Sequence, residues 1–135
     1  MAGIIWGDHY KIGFKASDDQ HQELVRMIGD LSNAIKANQD KSMLDKLLSD
    51  LINYTANHFS MEERMMQTHA YPEKSAHTKE HEDLKSTVID LQKKCKDGKT
   101  TVSLQTIHFL NDWLTNHILK TDKRLAVFLN SKGIK

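Results

Sequence analysis

Cysteine and proline are almost absent from this chain of 135 residues: each occurs once, as Cys95 and Pro72. A lone cysteine excludes an internal disulfide and a four-cysteine zinc site. Its setting, between Lys94 and Lys96 and just before Asp97-Gly98, reads as a tolerated thiol at a helix end rather than a redox centre. Neither sign of charge dominates, since 19 Lys and Arg stand against 18 Asp and Glu. That leaves no basic footprint for a nucleic acid and no one-signed face for a membrane surface. No apolar run approaches the ~20 residues that a membrane span needs. The Ile4-Ile5-Trp6 run is far too short for a signal-peptide core and is soon followed by Asp8. A soluble, cytoplasmic protein is expected, with no nucleic-acid or membrane partner. No partner protein is indicated, and a monomer is the default.

Strand-like alternation is also missing, and only six glycines interrupt the chain. The expectation is an all-α fold in one domain covering residues 1–135. Residues 1–17, with Gly3, Gly7 and Gly13, read as an irregular N-terminal arm, and helices are expected at about 18–38, 41–68, 73–95 and 102–130. The first starts near Ser17, whose spacing to Gln20 fits a capping box, and carries Leu24, Ile28, Leu31 and Ile35. The second shows Leu44, Leu48, Leu51, Thr55, His58, Glu62 and Met65 at helical spacing. Tyr71-Pro72 breaks the chain, and the proline suits the first turn of the third helix. On that helix His77, His81, Leu84, Val88, Leu91 and Cys95 share a face until Asp97-Gly98 stops it. Ile107, Leu110, Leu114 and His117 mark the fourth. Short connections between long helices imply an antiparallel up-down-up-down four-helix bundle.

What the chain does have is histidine, eight in all, and several stand where leucines should be. His21 continues the first stripe, His58 and Glu62 are consecutive on the second, His77 and His81 on the third, and His117 is on the fourth. A step of four turns about 400° around a helix, so such pairs point nearly the same way. Burying each of these groups without a partner costs roughly 2 kcal/mol or more, against a net stability of about 5–15 kcal/mol. Something must compensate them, and a metal centre does so while explaining the residue types. On the fourth helix the stripe should continue at Thr121. The carboxylate stands instead at Asp122, from which Leu125 and Leu129 carry the stripe on. A spacing of five aligns on one face only through a π bulge or a bend, so a distortion is expected between His117 and Asp122.

The set His21, His58-Phe59-xx-Glu62-Glu63, His77-xxx-His81 and Trp113-Leu114-xx-His117-xxxx-Asp122 resembles the hemerythrins, in particular the single-domain bacterial ones. Asp19-Gln20-His21 and Tyr71-Pro72 are similar to theirs as well. The resemblance implies two iron ions joined by an oxo or hydroxo group. One takes His77, His81 and His117, the other His21 and His58, and Glu62 and Asp122 bridge them. Seven protein ligands are too many for a tetrahedral zinc ion, and nitrogen and oxygen donors without thiolate suit iron or manganese. Two six-coordinate ions filled in this way keep one position open, on the ion with two histidines.

The implied function is reversible dioxygen binding, for transport, storage or scavenging, rather than enzymatic turnover. Oxygen would be held as a hydroperoxide at the open position, with Leu24, Phe59, Trp113, Leu114 and Ile118 around it. The same centre could serve a di-iron peroxidase or oxidase, or an oxygen or redox sensor. His9, His69 and His108 fall outside the ligand layer, Glu23 and Glu63 point about 100° away from it and are expected in solvated roles, and Met61, Met65 and Met66 read as core filling.

Overall fold

The computed structural model describes residues 6–134. Ile4 and Ile5 of the N-terminal arm lie outside them. Four long helical rods make an antiparallel bundle: α1 (Lys15–Lys36), α2 (Lys41–Thr68), α3 (Lys74–Lys96), and a fourth made of α4 (Leu104–Asn116), a π-helical stretch His117–Asp122, and α5 (Lys123–Ser131). α1 packs on α2 and on α4, and α2 packs on α3. No strand occurs among the described residues, and no helix there is long and apolar enough to cross a membrane.

The described part of the arm packs against the bundle. Tyr10, Ile12 and Phe14 are buried in the main core, and this anchoring starts α1 at Lys15, two residues before the expected Ser17. The expected capping box does not form. The N-cap is Phe14, with no side-chain cap, while Asp18 accepts from the Ile12 backbone N–H at 2.8 Å. Gln20 is engaged elsewhere, at His58. Caps appear instead at Asp40, which accepts from the Met43 N–H, and at Ser103, which accepts from the Thr106 N–H. Pro72 precedes α3 by two residues rather than lying in its first turn. The reason is local: Tyr71 is buried and its hydroxyl donates to Glu73, the residue before the helix.

The stripes bury as spaced, with Leu24, Ile28 and Leu31 meeting Leu48, Leu51, Leu84, Val88, Leu110 and Leu114 in one core. Met66 rather than Met65 ends the second stripe in full burial; Met61 and Met65 are half-buried. Cys95 is buried at the end of α3. The predicted distortion of the fourth rod is a π turn. With about one more residue per turn than an α-helix, it brings Asp122 under His117 and lets Leu125, Ala126 and Leu129 rejoin the core.

Candidate metal centre

α1 contributes His21 in its second turn, α2 contributes His58 and Glu62 one turn apart, α3 contributes His77 and His81 likewise, and the π turn joins His117 to Asp122. All seven are buried, none more than 2% exposed. Their ligand atoms fall into two overlapping groups: Glu62, His77, His81, His117 and Asp122 in one, and His21, His58, Glu62 and Asp122 in the other.

The carboxylates span the groups. Asp122 places Oδ1 3.0 Å from both His77 Nε2 and His117 Nε2, and Oδ2 2.8 Å from His21 Nε2. Glu62 places Oε1 3.1 Å from His81 Nε2 and 3.4 Å from His77 Nε2, and Oε2 3.4 Å from His58 Nε2. Despite this closeness, Glu62 Oε2, both Asp122 oxygens and His77 Nε2 have no hydrogen-bond partner among the described residues. They lie side by side without being aimed at one another.

The imidazoles show the same convergence. His81 Nδ1 donates to Glu63 Oε2 and His117 Nδ1 to Glu80 Oε1, both at 2.9 Å, and His58 Nδ1 donates to Gln20 Oε1 at 2.6 Å. In the neutral ring this leaves Nε2 with a lone pair. Yet His81 Nε2 faces His117 Nε2 at 3.1 Å, and His58 Nε2 faces His21 Nε2 at 3.1 Å. At His81 and His117, where both Nδ1–H groups are committed to carboxylates, lone pairs held at that separation repel unless positive charge lies between them. Five imidazoles and two carboxylates that each face both groups, with no thiolate, fit a pair of six-coordinate cations of the iron or manganese type.

The electrostatics show what the groups do without such charge. Burial pushes His58 down to about 4, with Glu62 opposing. Burial also pulls His77 down, but the adjoining Asp122 and Glu62 carboxylates outweigh it and hold the ring up at about 9. His117 is raised well above its ordinary value in the same way, burial being overcome by Asp122 and Glu62. Asp122 is held well below the usual carboxylate range: burial opposes, but His117, His21 and His77 prevail. Protons on the rings thus stand in for cations.

Aromatic rings wall the layer. Phe59 stacks on His81 with centroids 3.8 Å apart, and Trp113 stacks on His117 at 4.5 Å. Beyond them lies a cavity of about 30 Å³, lined by Leu24, Phe59, Trp113 and Leu114 and continuing past Ile28, Leu51, Leu84 and Leu110. Ile118, expected with the first four, is fully buried but does not line it. The one polar lining side chain, Thr55, donates its hydroxyl to the Leu51 carbonyl at 2.7 Å. A water there would find too few partners, so the cavity suits a small apolar molecule.

His9 and His108 are exposed and His69 half-buried, outside the cluster. Glu23 is engaged with Arg26 on the surface. Glu63 departs from its expected solvated role: its side chain is long enough to reach round to His81 on the neighbouring helix. Glu80 was not singled out from sequence and Gln20 was read only as a capping residue and as part of Asp19-Gln20-His21; their partners lie 37 and 38 residues away. No spacing signal connects residues so far apart.

A family model described as the hemerythrin HHE cation binding domain matches residues 13–129. The bacteriohemerythrin of Methylococcus capsulatus is 40% identical over 112 residues, covering 83% of this chain and 83% of that protein. The myohemerythrin of Theromyzon tessulatum is 31% identical over 117 residues, or 87% of this chain and 86% of that one. A wild-type hemerythrin crystal structure superimposes with a TM-score of 0.87 at 35% identity, over 91% of this chain and 95% of that chain. A match that runs from the buried end of the arm through every residue of the converging layer shows that the chain belongs to the hemerythrin family.

Proposed function

We propose that this chain is a single hemerythrin-like domain that binds dioxygen reversibly at a pair of iron ions. His77, His81 and His117 would hold one ion and His21 and His58 the other, with Glu62 and Asp122 shared by the two groups. The observation that carries this reading is the division of each carboxylate, one oxygen toward each histidine group, inside a fully buried layer. Bound there, an iron pair would supply the reversible electron exchange with dioxygen that these side chains cannot supply themselves.

The chain's own residues favour binding over turnover. The cavity beside the layer is apolar, and its only hydroxyl is occupied by a backbone carbonyl. No acid or base from the lining can deliver a proton to split the O–O bond, and water is kept away. Phe59 and Trp113, stacked on ligand rings, hold those rings in place and cover them. A carrier, store or scavenger fits these features better than a peroxidase, and the cytoplasmic location expected from sequence goes with it.

The test is to load the protein anaerobically with ferrous iron, admit oxygen, and follow the ligand-to-metal absorption band while the gas is cycled. The band is expected to appear and vanish over many cycles. Irreversible oxidation on first exposure would overturn the carrier reading in favour of catalysis or sensing.

A further inference from the structure

We propose that Glu63 and Glu80 are positioning residues that make the two metal positions unequal, strengthening the donors of the three-histidine position alone. The inference rests on the ligand set proposed above. On that side, two of three rings give their Nδ1–H to a carboxylate: His81 to Glu63 and His117 to Glu80, each at 2.9 Å. On the other side, His58 gives its Nδ1–H to the neutral amide oxygen of Gln20 at 2.6 Å. His21 Nδ1 and His77 Nδ1 have no hydrogen-bond partner among the described residues.

A carboxylate that accepts an imidazole N–H pushes electron density to the far nitrogen, fixes the tautomer and makes the ring a stronger ligand. An amide oxygen does the first of these only weakly. The difference therefore falls on one side of the pair. The three-histidine position is the tighter and fills first. In the half-oxidised pair it carries the ferric charge, because stronger donors stabilise the higher charge. The two-histidine position, which keeps the vacancy, stays the weaker and more reducing-tolerant ferrous site.

Glu80 is held for this role from a second direction. The Thr121 hydroxyl lies 2.8 Å and 2.9 Å from its two carboxylate oxygens. Thr121 is the residue on which the regular stripe of the fourth rod should have continued, and it lies within the π turn. The turn thus serves both the ligand layer, through Asp122, and the acceptor behind it, through Thr121.

Stepwise titration of the full chain with ferrous iron under anaerobic conditions tests this, in the wild type and in Glu63→Gln, Glu80→Gln and Gln20→Glu. Wild-type protein is expected to bind two ions in two resolved steps. Each Glu→Gln change, nearly isosteric, should weaken the tighter step by about tenfold to a hundredfold and spare the other. Gln20→Glu should tighten the weaker step and bring the two closer. Thr121→Val, which leaves all ligands and acceptors in place, should shift the tighter step the same way by a smaller factor. The lower one-electron potential of the iron-loaded protein should rise in Glu80→Gln by about 59 mV for each tenfold loss of ferric preference. A merely structural role would leave that potential where it was. Two ions bound with both steps and potentials unaltered in Glu80→Gln, or both weakened equally, would overturn the inference alone. Failure of the wild type to take two ions would overturn the ligand set as well.

Discussion

His58 and His77 lie in one buried layer yet are pushed in opposite directions, the first down to about 4 by burial and the second up to about 9 by its two carboxylate neighbours. The consequence belongs to the metal-free protein. As pH falls from 6.5 through 4, the unfolded chain takes up a proton that buried His58 refuses, so stability is lost on the acid side. His77 works the other way: its contribution is complete below 6.5 and is lost as pH rises through 9. Chelator-treated protein should therefore show its highest denaturation midpoint near neutrality and lower ones at about pH 5 and pH 9.5. A profile flat across that range would contradict the packing of these two rings. The positions of both histidines could be read from helical spacing. Their surroundings could not, because Gln20, Glu63 and Glu80 reach their partners across helices. Side chains of that length do not report their direction in a one-dimensional pattern, which is why Glu63 was expected in solvent.

At the scale of the element, each long rod ends on a residue in the left-handed region: Asn38 at φ 56°, Ala70 at 53°, Gly98 at 75° and Gly133 at 81°. Asparagine and glycine tolerate that backbone; alanine is strained in it. Ala70 is exposed and lies at the turn where the Tyr71 N–H bonds back to the Met66 carbonyl at 3.0 Å. Ala70→Gly is expected to stabilise the protein by about 1 kcal/mol, read as a higher urea midpoint; an unchanged or lower midpoint would contradict the strain. The π turn admits a sharper trial. Deleting Thr121 shortens the His117–Asp122 spacing from five to four, which an ordinary α-helix aligns on one face. The shortened protein should still bind two metal ions, while losing the hydroxyl that steadies Glu80. Loss of one ion would show that the bulge sets more than phase. The spacing of five was visible in the sequence because it breaks a stripe that otherwise steps by three and four. The start of α1 was misplaced because Ile12 and Phe14 pack into a core assembled from distant helices, which local capping rules do not see.

Among the described residues, polar groups and apolar space are segregated: the histidine and carboxylate layer is bounded by stacked Phe59 and Trp113, and the small apolar cavity runs on from them along the bundle. The bundle and its converging layer were legible because every helix placed metal-ligand residue types on its core stripe. The cavity's extent past Leu51, Leu84 and Leu110 was not, since leucines that line a void and leucines that fill a core look alike in sequence. Leu84→Phe should narrow that space and slow oxygen uptake by the iron-loaded protein, at a packing cost of about 1–3 kcal/mol. Metal content and the absorption band at saturation should stay as they were, and uptake at the wild-type rate would mean the cavity is not on the path. Anomalous diffraction at the iron edge, from crystals of anaerobically loaded protein, tests most directly whether the seven buried side chains converge on two cations. Two peaks are predicted in the buried layer, one against His77, His81 and His117 and one against His21 and His58, with Glu62 and Asp122 touching both. A single peak, peaks outside this layer, or a carboxylate that touches only one ion would contradict the account.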